Sequence, residues 1–216
     1  MRSSPAAALL AAILASGCAS SLWERTESFS SGGAEGRLYV PRVYAPLLPG
    51  SIYPDRKSPV PARGRPAIVV VCPEKGDCRE SEILEQAGWR GMVVLIFKRP
   101  PTSPLKNDLL RTRAEARAKQ TAWLLVAPTE DFLRRWIGSD APGSATAVLE
   151  PPLPSFLSKQ DLLPPLLFSS LLLSDGQPET PAGAILKLYA ARPAGGLPDE
   201  AFRDAVEWLA GELGAR

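Results

Sequence analysis

The sequence contains no histidine among its 216 residues. Histidine is the usual general base at neutral pH and the commonest metal ligand, so its absence excludes a Ser–His–Asp or Cys–His system and most zinc sites. A strong charge of one sign is also lacking, since the net charge is only +2. This balance gives no indication of nucleic-acid binding. No apolar run reaches the roughly 18 residues that a membrane-spanning helix needs.

The first residues have the layout of a bacterial targeting segment. Arg2 gives a positive start, residues 6–15 are an unbroken apolar run, and small residues lead to Cys18. This order is typical of a signal peptide. Its end resembles the lipobox of bacterial lipoproteins, in which the cysteine is acylated and becomes the mature N-terminus. We therefore expect a signal peptide over 1–17, a lipidated Cys18 and a cell-envelope location, by default at the outer membrane facing the periplasm or the cell surface. The alternative is an ordinary secretory signal with a chance cysteine.

Two cysteines remain once Cys18 carries lipid. Cys72 and Cys78 are separated by five residues, a spacing that a disulfide can close if the loop folds back. An even pair in an oxidising compartment favours the bridge. The same residues also fit two unpaired thiols, so the sequence leaves both states open.

The remaining chain divides by composition into a tether and one domain. Residues 18–36 are rich in Ser and Gly and predict a flexible tether. In the domain, 37–216, β-branched runs typical of buried strands alternate with amphipathic stretches. This alternation predicts an α/β fold with three layers, in which a mostly parallel sheet has helices on both faces. Strands are predicted at 38–44 (an edge strand), 67–72, 92–97, 121–127, 145–149, 166–173 and 184–189. Helices are predicted at 80–87, from Ser103 towards Gln120, at 131–137, and from Pro198 to Leu213.

This order of elements resembles the α/β-hydrolase family, most of all its dienelactone-hydrolase-like branch, in a truncated form. The family carries its nucleophile in G-x-S-x-G, at a strained turn between a strand and a helix. The corresponding turn here reads APTED over 127–131, which puts Thr129 at the nucleophile position without either glycine. The resemblance implies that Asp175 takes the place of the family's acid. It also implies a catalytic histidine within 190–196, and these residues contain none.

Two functions follow from this comparison. The leading hypothesis is a lipid-anchored protein whose hydrolase-like domain has lost catalysis and binds a small molecule or an envelope protein, or serves as a scaffold. The rival is a weak or unorthodox esterase or dienelactone-hydrolase-type enzyme that uses Thr129, with Glu130 or Lys75 as its base. Thr129 also fits a helix N-cap, which requires only local geometry. A third interpretation, a generic α/β envelope protein, treats the resemblance as coincidence.

Two further patterns carry less information. Ser103 and Lys106 match S-x-x-K, in which a lysine activates a serine, but the accompanying S-D-N and K-T-G patterns are missing. Four acidic residues lie close together after the first buried strand without the pattern of a calcium loop, which favours a solvated loop. They are Glu74, Asp77, Glu80 and Glu82. We therefore expect neither a metal nor a cofactor.

Overall fold

The computed structural model describes residues 22–31, 33–42, 44–45, 55–59, 65–102, 116–137, 145–150, 166–171, 184–193 and 195–215. The strands in these ranges are β1 (Trp23–Ser31), β2 (Ala34–Pro41), β3 (Tyr44–Ala45), β4 (Asp55–Pro59), β5 (Arg65–Val71), β6 (Val93–Phe97), β7 (Ala116–Val126), β8 (Thr146–Leu149), β9 (Leu166–Leu171) and β10 (Ile185–Tyr189). The helices are α1 (Glu80–Trp89), α2 (Glu130–Ile137) and α3 (Asp199–Glu212). No helix within these ranges is both long enough and apolar enough to cross a membrane.

Eight of the strands form one sheet in the order β1-β2-β6-β5-β7-β8-β9-β10. The β1–β2 hairpin is antiparallel, and β2 is also antiparallel to β6. From β6 to β10 every neighbouring pair is parallel. Strands β5 and β6 read as continuous apolar runs because both of their faces are covered, as in other parallel sheets. The predicted mostly parallel sheet is confirmed.

Helices cover the sheet on both faces, which confirms the three layers. On one face α1 and α3 pack on the sheet, and Ile83, Phe202 and Val206 are buried there together with Ile68. On the other face α2 covers Trp123. The two faces use alternate residues of the same strands, because successive side chains of a strand point in opposite directions.

The expected flexible tether over 18–36 is wrong for the residues that the structure describes. β1 and the start of β2 occupy this range as a paired hairpin whose register runs from Trp23–Pro41 to Ser31–Ala34. Gly36, which contributed to the prediction, is buried because the ring of Phe29 lies where a side chain at position 36 would be. Phe29 also packs edge-on against Phe97, with ring centroids 5.5 Å apart. The glycine therefore makes room for an aromatic contact. Cys18 lies outside the described residues.

Two other predicted elements differ. The strand predicted at 38–44 is not an edge strand, because β1 pairs with the outer side of β2. Pro41 is tolerated because it is the last residue of β2. The helix predicted from Ser103 towards Gln120 is wrong at its end, since β7 begins at Ala116. The Ser103–Lys106 motif lies outside the described residues.

Candidate functional site

A pocket of about 190 Å³ opens at the carboxyl ends of the parallel strands. Its walls come from the loop after β5, the turn after β7, Glu150 after β8, and the segment between β10 and α3. Ligands of open parallel sheets bind outside this edge of the sheet, where the connecting loops supply the contacts. The pocket therefore lies where the fold is expected to hold its functional groups.

The turn after β7 places Ala127, and not Thr129, at its strained position. Ala127 has a φ of 40°, in the left-handed region that a residue with a Cβ rarely adopts. It lines the pocket, and α2 begins three residues later. A strained residue between a strand and a helix is the position that carries the nucleophile in G-x-S-x-G turns. Here the residue is Ala127, and its side chain is a methyl group without a nucleophilic atom.

Thr129 takes the second of the two roles that the sequence allowed, that of a helix N-cap. It directly precedes α2, and its Oγ accepts a hydrogen bond from the backbone N–H of Phe132 at 3.2 Å. This bond satisfies one of the amides that a helix leaves unpaired in its first turn. The side chain is exposed, and Thr129 does not line the pocket. The placement of Thr129 at the nucleophile position is therefore wrong, and its alternative reading as an N-cap describes what the structure shows.

The acid and base positions also contain no catalytic pair in the described part of the chain. Asp175 lies outside the described residues. The segment after β10, where the resemblance calls for histidine, brings Arg192 to the pocket wall. A guanidinium does not release its proton at neutral pH, so Arg192 cannot act as a general base. The site therefore lacks a group that could activate a nucleophile from this segment.

Glu150 ties two walls of the pocket together. It follows β8 directly, and its Oε1 accepts a hydrogen bond from the backbone N–H of Leu197 at 3.0 Å. Leu197 lies just before α3, so this bond fixes the loop that ends at the helix. Sequence reasoning did not single out Glu150. The one signal available was its position directly after a short buried strand.

Two arginines share one carboxylate oxygen beside the pocket. Arg79 Nη2 lies 3.4 Å and Arg192 Nη1 lies 3.7 Å from Asp199 Oδ1. Arg79 Nε is also 3.4 Å from an oxygen of Asp77. Within the described residues, the buried Nε of Arg192 has no hydrogen-bond acceptor. With Lys75 on the same wall, the pocket presents both signs of charge.

Backbone strain is concentrated at this pocket. In the described part of the chain, the non-glycine residues with positive φ are Arg79 at 52°, Ala127 at 40° and Glu150 at 52°. All of them line the pocket. Such conformations cost on the order of 1–3 kcal/mol each and cluster at binding and catalytic sites. The geometry thus makes the pocket the candidate functional site independently of its charges.

The loop after β5 is held by a disulfide. Cys72 and Cys78 are bonded with an S–S distance of 2.01 Å, so the structure selects the bridge from the two states that the sequence left open. Cys72 follows the last residue of β5, and Cys78 lies shortly before α1. The loop between them supplies Pro73, Lys75 and Asp77 to the pocket wall. The bridge therefore fixes one wall of the site.

A polar cluster away from the pocket joins β10 to α3. Asp204 accepts hydrogen bonds from Lys187 Nζ at 3.0 Å and from the Tyr189 hydroxyl at 2.9 Å. Burial alone would raise the pKa of Asp204, but these two bonds together hold that pKa below its usual value. Burial, and then the bond to Asp204, raise the pKa of Tyr189 well above its usual value. The cluster stabilises the helix on the strand and does not reach the pocket.

No family model and no curated protein sequence matches this chain. Solved structures do resemble it. MGS-M1, an α/β-hydrolase enzyme from a Medee basin deep-sea metagenome library, matches with 10% identity and a TM-score of 0.55, over 89% of this chain and 99% of that one. A cold-adapted esterase from an Arctic intertidal metagenomic library matches with 12% identity and a TM-score of 0.54, over 88% of this chain and 93% of that one. AbyA5 matches with 9% identity and a TM-score of 0.61, over 95% of this chain and 76% of that one. The chain therefore has the α/β-hydrolase fold, as the sequence resemblance implied. Identities this low show the fold alone.

Proposed function

We propose that this chain is a lipid-anchored envelope protein whose α/β-hydrolase domain binds a small polar ligand or a partner and does not catalyse hydrolysis. The observation that carries the proposal is Ala127 at the strained turn after β7. The fold keeps the backbone that presents a nucleophile to the pocket, but the side chain there cannot attack a carbonyl group.

The described residues around the pocket do not supply the missing chemistry in another form. A hydroxyl nucleophile needs an adjacent base, and a positioned base contributes typically about 10²–10⁴-fold to the rate. The sequence contains no histidine, and Arg192 is the charged group that the segment after β10 brings to the pocket. Thr129, the nucleophile of the rival hypothesis, is committed to capping α2 outside the pocket. These observations favour binding over catalysis.

The pocket itself supports binding of a small polar molecule. Its volume of about 190 Å³ is below the roughly 300–1,000 Å³ of pockets for drug-sized ligands. Its wall carries Lys75, Arg79 and Arg192 beside Asp77 and Glu150. The strained backbone at three wall positions is consistent with a site kept for a ligand.

Two features support location in the envelope and a lipid anchor at Cys18. The first is the order of the basic residue, the apolar run, the small residues and the cysteine. The second is the Cys72–Cys78 disulfide, because disulfides persist in oxidising compartments outside the cytosol. Several acyl chains on one cysteine would give stable anchoring, since a single chain binds only marginally.

Labelling with a fluorophosphonate probe tests the loss of catalysis. We expect no labelling of the folded wild-type chain, and no turnover of p-nitrophenyl acetate above the buffer rate. An active esterase of the same fold serves as the positive control, and Thr129→Ala is the matched variant. Labelling of the wild type that disappears in Thr129→Ala would overturn the proposal and establish the rival hydrolase.

A further inference from the structure

One large apolar side chain stands out on the surface at the end of α1. Trp89 is 71% exposed, whereas most large apolar residues of the described chain are buried. Tryptophan is enriched where a membrane meets water, since its ring is apolar and its indole N–H is polar. Trp89 therefore has the chemistry of a residue that lies in a lipid interface.

The beginning of β1 lies beside Gly88, the residue that precedes Trp89 in α1. A Cβ built on Gly88 would lie 3.2 Å from Trp23 Cζ2 and 3.5 Å from Leu22 Cβ. The carbonyl oxygen of Leu22 accepts a hydrogen bond from the Arg42 amide at 2.8 Å, which fixes the position where the chain enters the sheet. We call the surface formed by Leu22, Arg42 and Trp89 the Trp89 rim.

The length of chain before Leu22 limits how far the rim can lie from the membrane. Leu22 comes only four positions after Cys18, and four fully extended residue steps span at most about 14 Å. A flexible tether over 18–36 would have left the domain free to turn, but β1 begins at Trp23, so only residues 18–22 lie between the lipid and the sheet. A lipid on Cys18 would therefore hold the Trp89 rim close to the bilayer surface.

The pocket lies at the other end of the same helix. α1 begins next to Arg79 in the pocket wall and ends at Trp89, ten residues later. Ten helical residues extend about 15 Å. The strand β5 also runs from the rim to the pocket. At its start, Arg65 donates a hydrogen bond to the Pro41 carbonyl oxygen at 2.6 Å, near the rim. Its other end leads into the loop that lines the pocket.

We propose that the domain rests on the lipid bilayer through the Trp89 rim, with Trp89 in the headgroup region and the pocket open to the side away from the membrane. The proposal rests on the lipid anchor at Cys18 proposed above. The partner of the Trp89 rim is the bilayer in which the lipid on Cys18 is inserted. This orientation keeps the binding site accessible to a soluble ligand or to a protein in the same compartment.

Quenching by brominated lipid tests this orientation on the full chain. The protein is produced in a bacterial host with its leader and placed in vesicles of phosphatidylethanolamine and phosphatidylglycerol, with or without bromine on the part of the acyl chains next to the headgroups. Bromine quenches a tryptophan only when the ring lies in the bilayer. We expect quenching in the wild type and loss of most of it in Trp89→Phe. The matched control is Trp136→Phe, because the Trp136 ring is buried between α2 and the sheet and its removal should leave the quenching in place.

The intact mass of the purified chain separates the two proposals. A mass without lipid would refute the anchor itself. A lipid mass together with no quenching, or with quenching that persists fully in Trp89→Phe, would refute the orientation and leave the anchor standing. Folding is not at issue in this variant, because Trp89 is largely exposed and phenylalanine keeps its aromatic character.

Discussion

Opening the Cys72–Cys78 disulfide should destabilise the domain by roughly 2 kcal/mol. The bridge joins residues six apart in the sequence, and the loop-closure entropy that it removes from the unfolded chain corresponds to about 2 kcal/mol at 25 °C for a loop of that size. This is about a 30-fold change in the ratio of folded to unfolded protein. With a urea dependence near 2 kcal/mol per molar, the midpoint of unfolding should fall by about 1 M.

The assay compares urea unfolding of the oxidised and the reduced wild type, followed by tryptophan fluorescence. Reduction leaves both sulfur atoms in place, so the packing of the buried Cys72 changes little. Cys78→Ser should unfold at the midpoint of the reduced wild type and should not respond to the reductant. Equal midpoints for the oxidised and reduced wild type would show that the bridge does not constrain the unfolded chain.

The same reduction should loosen the pocket wall before it unfolds the domain. The bridged loop contributes Lys75 and Asp77 to the pocket, and its other fixed end is the start of α1. Amide hydrogen exchange should therefore increase over 73–79 on reduction, while the amides of β6 stay protected. Unchanged exchange in that loop would mean that contacts other than the disulfide hold the wall.

Three further predictions concern single positions. Thr129→Ala should lower the free energy of unfolding by about 1 kcal/mol through loss of the N-cap of α2, and Thr129→Ser should retain most of it in the same urea assay. Ala127→Gly should raise stability by about 0.5–1 kcal/mol, because it relieves a left-handed conformation but adds freedom to the unfolded chain; a clear loss would show that the turn is not strained there. Asp204 has a lowered pKa when folded, so its contribution is present above its unfolded value and is lost as the pH falls. Tyr189 has a raised pKa, so its contribution is lost as the pH rises. Asp204→Asn should therefore reduce stability near neutral pH. In a plot of melting temperature against pH, it should flatten both the acid and the alkaline limb. Unchanged limbs would show that the Asp204 cluster does not cause this pH dependence.

The central part of the fold could be predicted from the sequence because burial leaves a direct pattern there. Strands covered on both faces, such as β5 and β6, contain only apolar residues over most of their length. The hairpin at the start could not be predicted in the same way. β1 reads WERTESFSS, with few apolar residues, since it lies at the edge of the sheet and much of it is exposed. The glycine that permits its aromatic contact looks like a sign of flexibility in the sequence.

The site was harder to predict because its decisive features are conformational. The resemblance aligns Thr129 with the nucleophile because its side chain is a hydroxyl, but the position is defined by the φ of Ala127, which no residue pattern reveals. Glu150 and Arg192 lie far apart in the sequence, and only the parallel sheet brings them to one pocket. The disulfide could be proposed as one of two states because its two cysteines are only six positions apart in the sequence.

The strain at the pocket wall supports the proposal that the site is retained for binding and is not an unused remnant of the fold. Three positive φ values at residues with a Cβ cost roughly 1–3 kcal/mol each, a substantial share of the about 5–15 kcal/mol that stabilises a typical domain. Glycine could relieve this strain at Arg79, Ala127 or Glu150 by a single substitution, and none of them is glycine. Arg79 and Glu150 keep charged side chains that tie the wall together, whereas Ala127 keeps the elbow without its hydroxyl. A chain that keeps the costly geometry and lacks the reactive group is better explained by a pocket used for binding than by a weakened enzyme.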